Sequence, residues 1–278
     1  MAEILVLANE TIGGAKLLDA IRERHAQGDA RFHVVVPQIR PRHGNVIYDE
    51  AVRDSAQVRV DLALAFMREE GLEGTGEVGD TDPLNAAKDA IAEHGITEIL
   101  VSTLPATSSG WLRRDLIQAL EAETGLPVRH VVVDLAAEGL PFDVTLVVAN
   151  QTAASPELTK RLESLAEERP HRFIVVVPQP SNRGDAVAQA RERLGRLLES
   201  LRKAGIVAAG MIGDPDPYTA AMNAAQYFHI SEIVISTLPE GSSRWMADKL
   251  VERIEGATNK PVEHIESQPD SEPARAEA

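Results

Sequence analysis

The sequence predicts an α/β protein made of two tandem copies of a five-stranded parallel-sheet domain. Three observations predict it. The chain repeats itself over domain-sized distances: LVLANET at 5–11 returns as LVVANQT at 146–152, and FHVVVPQ at 32–38 as FIVVVPQ at 173–179. GDTDP at 79–83 returns as GDPDP at 213–217, and ITEILVSTLP at 96–105 as ISEIVISTLP at 230–239. Within each copy, short β-branched runs alternate with longer amphipathic segments, the pattern of parallel strands joined by crossover helices. The VVV and ILV runs lack polar alternation, as do strands buried on both faces.

In order, the first copy should place strands near 3–8, 32–36, 73–78, 97–102 and 128–133. The second should place them near 143–149, 172–177, 206–212, 231–236 and 261–265, with helices between strands. Helix punctuation agrees. Asp82-Pro83, Asp216-Pro217 and Ser155-Pro156 each set a capping side chain before a proline suited to the first helical position. The segment DLAAEGLPFD is the joint, which gives domains at 1–139 and 140–265, and the polar residues 266–278 read as a disordered tail. The loop IRPRHGNVIYDE of copy one shrinks to PSNRGD in copy two.

Composition bounds function. Hydrophobic residues at 44% and charged residues at 26% exclude wholesale disorder, and aromatics at 4% leave the core to Val, Ile, Leu and Ala. A net charge of −15 and a pI near 5.0 argue against nucleic acid or an anionic membrane as partner, since both are bound through clustered Lys and Arg. There is no cysteine, so disulfides, thiolate catalysis and Cys-ligated zinc are excluded. The opening MAEILVLANE has no basic lead-in and too short an apolar run for a signal peptide or a span, so a cytoplasmic protein is expected.

Ligands of open α/β sheets bind beyond the carboxyl ends of strands, where strand order reverses. The strictly repeated residues sit at such ends. Candidates in copy one are Asn9, Thr11, Gly13 and Gly14 after the first strand, Gly79 and Asp80 after the third, and Ser102 and Thr103 after the fourth. Ser108 and Ser109 follow, able to cap a helix expected to start near Trp111, with Arg113 and Arg114 adding charge. Copy two offers Asn150, Thr152, Gly213, Asp214, Ser236, Thr237, Ser242, Ser243 and Arg244. If the first and fourth strands are neighbours, Asn9 and Ser102 share one crevice, and Asn150 and Ser236 the other. Copy one is the better candidate for a phosphate, because Gly13-Gly14 suits an anion nest and copy two has Ala154-Ser155.

Each feature also has a purely structural reading. STLPxxSSxW reads equally as a turn whose serines cap a helix and whose tryptophan packs, and GDxDP reads first as a helix cap. Trp111 and Trp245 are expected in a core or interface, beside the helical stripes 112/116/120 and 246/250/254. Arg40, Arg42 and His43 form a basic cluster in the long loop, readable as a cover for the crevice or as solvated charge. His130 and His264 repeat on the fifth strand as half-buried histidines or as a pH-sensitive joint. The acids of GDxDP have no repeated His or Glu at ligand spacing, so no metal is expected. No nucleophile–base pair, HxxE, GxSxG or Walker-type loop appears, which ranks binding above catalysis.

The tandem halves, the ANET and ANQT turns, the GDxDP turn, and the endings LPVRHVVV and KPVEHIES make the chain resemble the universal stress protein family. The resemblance covers both copies. It implies a Rossmann-like sheet with the first and fourth strands adjacent and the fifth at an edge, and a pseudo-dimer of the copies through those edges. Nucleotide-binding members carry Gly-x2-Gly-x9-Gly-(Ser/Thr) after the fourth strand. Here those positions hold Ser102, Pro105, Asp115 and Leu116, then Ser236, Pro239, Lys249 and Leu250, and Asn9 and Asn150 stand where an Asp is usual. Proline cannot reproduce the close approach and positive φ of glycine, so ATP binding in the family manner is not expected. The cofactor is open. The resulting expectation is a cytoplasmic, stress-type small-ligand-binding or sensing protein whose ligand is a nucleotide or other phosphorylated metabolite. The alternative is a non-ATP-binding interaction module, and a phosphohydrolase ranks third. The intramolecular pairing leaves further self-association open.

Overall fold

The computed structural model describes the chain apart from residues 40–48, 113–114, 180–183, 240–244, 246–247 and 269–278. It divides into two compact units, Met1–Pro141 and Phe142–Ala278. The first unit runs β1 (Ala2–Leu7), α1 (Ala15–Ala26), β2 (Ala30–Pro37), α2 (Asp49–Glu69), β3 (Gly74–Gly79), α3 (Pro83–His94), β4 (Glu98–Thr103), α4 (Leu116–Thr124), β5 (Val128–Val132) and α5 (Leu135–Glu138). The second runs β6 (Asp143–Val148), α6 (Pro156–Glu168), β7 (His171–Pro178), α7 (Gly184–Lys203), β8 (Ala208–Gly213), α8 (Pro217–Tyr227), β9 (Glu232–Thr237), α9 (Leu250–Thr258) and β10 (Val262–Glu266).

Each unit has one five-stranded sheet, ordered β3-β2-β1-β4-β5 in the first and β10-β9-β6-β7-β8 in the second. All pairings are parallel. The expected adjacency holds: Leu7 lies opposite Val101 and Val148 opposite Ile235, while β5 and β10 lie at edges. Every strand falls within two residues of its expected bounds.

The core explains why apolar runs rather than alternating ones mark these strands. Ile4, Leu5, Val6 and Leu7 are all at most 1% exposed, so β1 is covered on both faces. Each such side chain contributes about 1.5–3 kcal/mol on burial. One face of the first sheet packs Leu5, Leu7, Val35, Ile99 and Val101 against α3 and α4. In the second unit, Val147, Phe173 and Val175 pack with Leu158 and Leu162 of α6 and Leu197 and Leu201 of α7. The expected helical stripe is buried too: Leu116 and Leu120 in α4, Leu250 and Ile254 in α9.

Two boundaries differ from the sequence reading. The joint at 134–143 holds the single-turn α5, where Asp134 Oδ1 accepts a hydrogen bond from Ala137 N at 3.1 Å and Glu138 pairs with Lys16 of α1. Glu266, placed in the tail from sequence, closes β10, and Ser267 is 2% exposed. Residues 269–278 lie outside the described residues. Among the described residues, no helix is long and apolar enough to cross a membrane.

Candidate functional site

Leaving β1, the chain makes a tight turn in which Asn9 O accepts from Ile12 N at 3.1 Å and Thr11 O from Gly14 N at 3.0 Å. Gly13 sits at φ 90°, a left-handed value that favours glycine. A side chain at Gly14 would run into Val133. The turn thus uses some of the N–H groups an anion nest would need. Thr11 Oγ1 donates to Ser102 O at 3.3 Å, tying the turn to the end of β4.

Asn9 and Ser102 are 4% and 1% exposed. Asn9 Nδ2 donates to Pro37 O, but among the described residues Asn9 Oδ1 and Ser102 Oγ are buried without a hydrogen-bond partner. Such groups cost about 1–3 kcal/mol each, so proteins rarely keep them without reason.

Copy two closes the same positions. Asn150 Nδ2 donates to Pro178 O at 3.0 Å, and Asn150 Oδ1 accepts from Arg193 Nη1 at 3.0 Å. Ser236 Oγ lies 2.8 Å from Thr152 Oγ1 and 3.0 Å from Ser267 Oγ, while Thr152 Oγ1 donates to Ser236 O at 3.1 Å. In the repeat, Val133 stands where copy two has Ser267, and Arg59 where it has Arg193. Val133 offers no hydrogen bond, and Arg59 turns its Nη1 towards Ser55 O, 3.5 Å away. The helix start differs in the same sense. Ser155 Oγ caps α6 by accepting from Leu158 N at 3.2 Å, whereas Gly14 has no side chain with which to cap α1.

The STLP stretch is closed on itself. Ser108 N and Ser109 N both donate to Pro105 O at 2.8 Å, and Ser109 Oγ accepts from Leu112 N at 3.2 Å. A helical turn is already present at Leu112, whose N Ser109 Oγ caps, while α4 itself begins at Leu116. The interruption lies at Asp115, whose φ of 52° cannot continue a right-handed helix, and Lys249 at φ 50° does the same before α9. Trp111 is partly buried against the α3–α4 core. Arg113, Arg114, Ser242, Ser243, Arg244, Arg40, Arg42 and His43 lie outside the described residues.

Thr103 Oγ1 donates to Leu104 O at 2.9 Å and lies 2.9 Å from His130 Nε2. A hydroxyl has one proton, so His130 Nε2 carries the hydrogen of the second contact. Burial lowers the His130 pKa, keeping the ring neutral. Thr237 makes the same two contacts, with Leu238 O and His264 Nε2 at 2.9 and 2.8 Å.

The GDxDP turns work as caps. Asp80 Oδ1 accepts from Asp82 N at 2.7 Å, and Asp82 Oδ1 in turn accepts from Leu84 N at 2.9 Å. Asp214 and Asp216 do likewise for Asp216 N and Thr219 N, both at 2.9 Å. A side chain at Gly79 would meet Ala86 Cβ at 2.6 Å, and one at Gly213 would meet Ala220 Cβ at 2.6 Å. These glycines let α3 and α8 approach the sheet.

Sequence spacing did not reveal a second cluster in copy one. His33 of β2, 6% exposed, holds Thr75 Oγ1 at 2.8 Å through Nδ1 and Glu77 Oε1 at 3.2 Å through Nε2. His94, in the last turn of α3, brings its Nε2 to 3.7 Å from the same Glu77 oxygen. The two rings lie 3.8 Å apart, centre to centre. Burial is the main cause of a lowered His33 pKa, opposed by Glu77. The available signal was the repeat, because copy two replaces this set with Ile174, Ala209, Met211 and Phe228.

No protein-family model and no curated protein matches the chain. Among solved structures it is similar to a universal stress protein from Archaeoglobus fulgidus, with 19% identity over 48% of this chain and 100% of that one, at a TM-score of 0.37. It is also similar to a second universal stress protein, from Archaeoglobus fulgidus DSM 4304, with 13% identity over 95% of this chain and 96% of that one, at a TM-score of 0.37.

Proposed function

We propose that the first unit is a small-ligand-binding or sensing domain of stress type. Its ligand, a nucleotide or other phosphorylated metabolite, is received at the carboxyl ends of β1 and β4. The observation that carries this reading is the pair of unpartnered buried atoms, Asn9 Oδ1 and Ser102 Oγ. Both are suited to ligand hydroxyl or amine groups, and both are satisfied internally in copy two. The uncapped start of α1 beside them adds first-turn N–H groups that favour an anion. Copy two, with Arg193, Ser267 and Ser155 in place, is the closed counterpart.

Thermal unfolding of the full chain with adenine nucleotides, cyclic dinucleotides, other phosphorylated metabolites and inorganic phosphate tests this. A binder of the native state raises the midpoint in proportion to the logarithm of its concentration. The expected result is a shift with one compound that Ser102→Ala abolishes and Ser236→Ala leaves intact. No shift with any compound, or a shift insensitive to Ser102→Ala, sinks the reading. A second reading, a scaffold for a protein partner, is favoured by the closure of Ser108 N and Ser109 N onto Pro105 O, which removes donors a phosphate would use.

A further inference from the structure

Copy one keeps four polar side chains together under α3: His33, Thr75, Glu77 and His94. Because α3 starts beyond the carboxyl end of β3 and runs back along the sheet, its last residue His94 meets β2 and β3 away from the Asn9–Ser102 crevice. The same places in copy two hold Ile174, Ala209, Met211 and Phe228. Ile174, Ala209 and Met211 are at most 3% exposed. The backbone therefore accepts an all-apolar filling, and packing alone does not require the polar one. Placing the imidazole of His33, 6% exposed, where copy two buries Ile174 removes hydrophobic burial and adds desolvation, which natural sequences tolerate chiefly at functional sites.

The geometry is that of a metal-ligand set. The three donor atoms lie within 4.8 Å of one another. Metal–ligand bonds of about 2.0–2.1 Å in a tetrahedron set neighbouring donors roughly 3.3 Å apart. Glu77 Oε1 is 3.2 Å from His33 Nε2 and 3.7 Å from His94 Nε2, so small side-chain rotations reach that spacing. Thr75 Oγ1, at 2.8 Å from His33 Nδ1, supplies the outer hydrogen bond that fixes a ligating imidazole with Nε2 towards the ion. Glu77 and His94 are partly exposed, leaving a side open to solvent for a fourth ligand. Two imidazoles and one carboxylate suit divalent first-row transition ions and not calcium or magnesium, which prefer oxygen.

We propose that His33, Glu77 and His94 form a binding site for a divalent transition-metal ion of the zinc or cobalt type, present in copy one alone. The site is independent of the ligand crevice, so either can fail without the other.

The test uses the full chain stripped with a chelator and titrated with Zn²⁺ by calorimetry and by thermal unfolding, then with Co²⁺ by visible absorption. The expected result is one ion per chain, a midpoint that rises with ion concentration, and Co²⁺ bands reporting nitrogen and oxygen ligands. His94→Ala, at a partly exposed position, and Glu77→Gln each weaken binding at least tenfold. The triple variant His33→Ile, Glu77→Met, His94→Phe imports copy two's residues and loses the ion while melting cooperatively. Absence of saturable binding to the wild-type chain overturns the proposal. Unchanged affinity in His94→Ala and Glu77→Gln overturns it as well, whether or not the triple variant folds.

Discussion

Ser102 and Ser236 occupy the same place in the repeat but answer to different surroundings. Ser236 Oγ has Thr152 and Ser267 as partners, while Ser102 Oγ has none among the described residues. Ser236→Ala should therefore destabilise the protein by about 1 kcal/mol, and Ser102→Ala, with no ligand present, should be neutral or stabilising by up to about 1 kcal/mol. Chemical denaturation of the two variants checks this, and equal losses would refute the asymmetry. The difference was not legible locally. STLP is written identically in both copies, and its divergence depends on Val133 against Ser267 and Arg59 against Arg193, residues far away in sequence. Gly14 belongs to the same exchange: a side chain there would meet the bulkier Val133, and the equivalent positions in copy two hold Ser155 and Ser267. His33, Glu77 and His94 were hidden for a related reason, because they come from three elements with no motif spacing.

Among elements, strands and caps were the legible part. Apolar runs located β1, β2, β4, β6, β7 and β9 because burial on both faces leaves little room for polar alternation, and Asp-Pro located the starts of α3 and α8 because cap and fixed φ act over a few residues. The start of α4 lies later than expected because the stripe 112/116/120 runs on through the interruption at Asp115. A non-glycine residue in the left-handed region costs about 1–2 kcal/mol, less for Asp than for Lys. Lys249→Gly should accordingly raise stability by about 1 kcal/mol and Asp115→Gly by less, read as midpoint shifts in urea. A loss in Lys249→Gly would mean that the lysine side chain contributes more than its backbone costs.

For the whole molecule, duplication made the fold readable, since each copy vouched for the strands of the other. It equally concealed where the copies differ in chemistry, because shared residues draw attention to shared structure. The strand order has a kinetic meaning. β1 and β6 lie at the centre of their sheets, each hydrogen-bonded to a strand on both sides, whereas β3, β5, β8 and β10 are bonded within the sheet on one side. Amide protons leave last from segments whose opening requires the greatest disruption. A hydrogen–deuterium exchange profile should show two maxima of protection, one in LVL at 5–7 and its echo in LVV at 146–148, with the flanking strands exchanging sooner. A β3 that outlasts β1 would contradict the order described. If the pattern holds, the slowest-exchanging amides mark the duplication in time, as the repeated residues mark it in sequence.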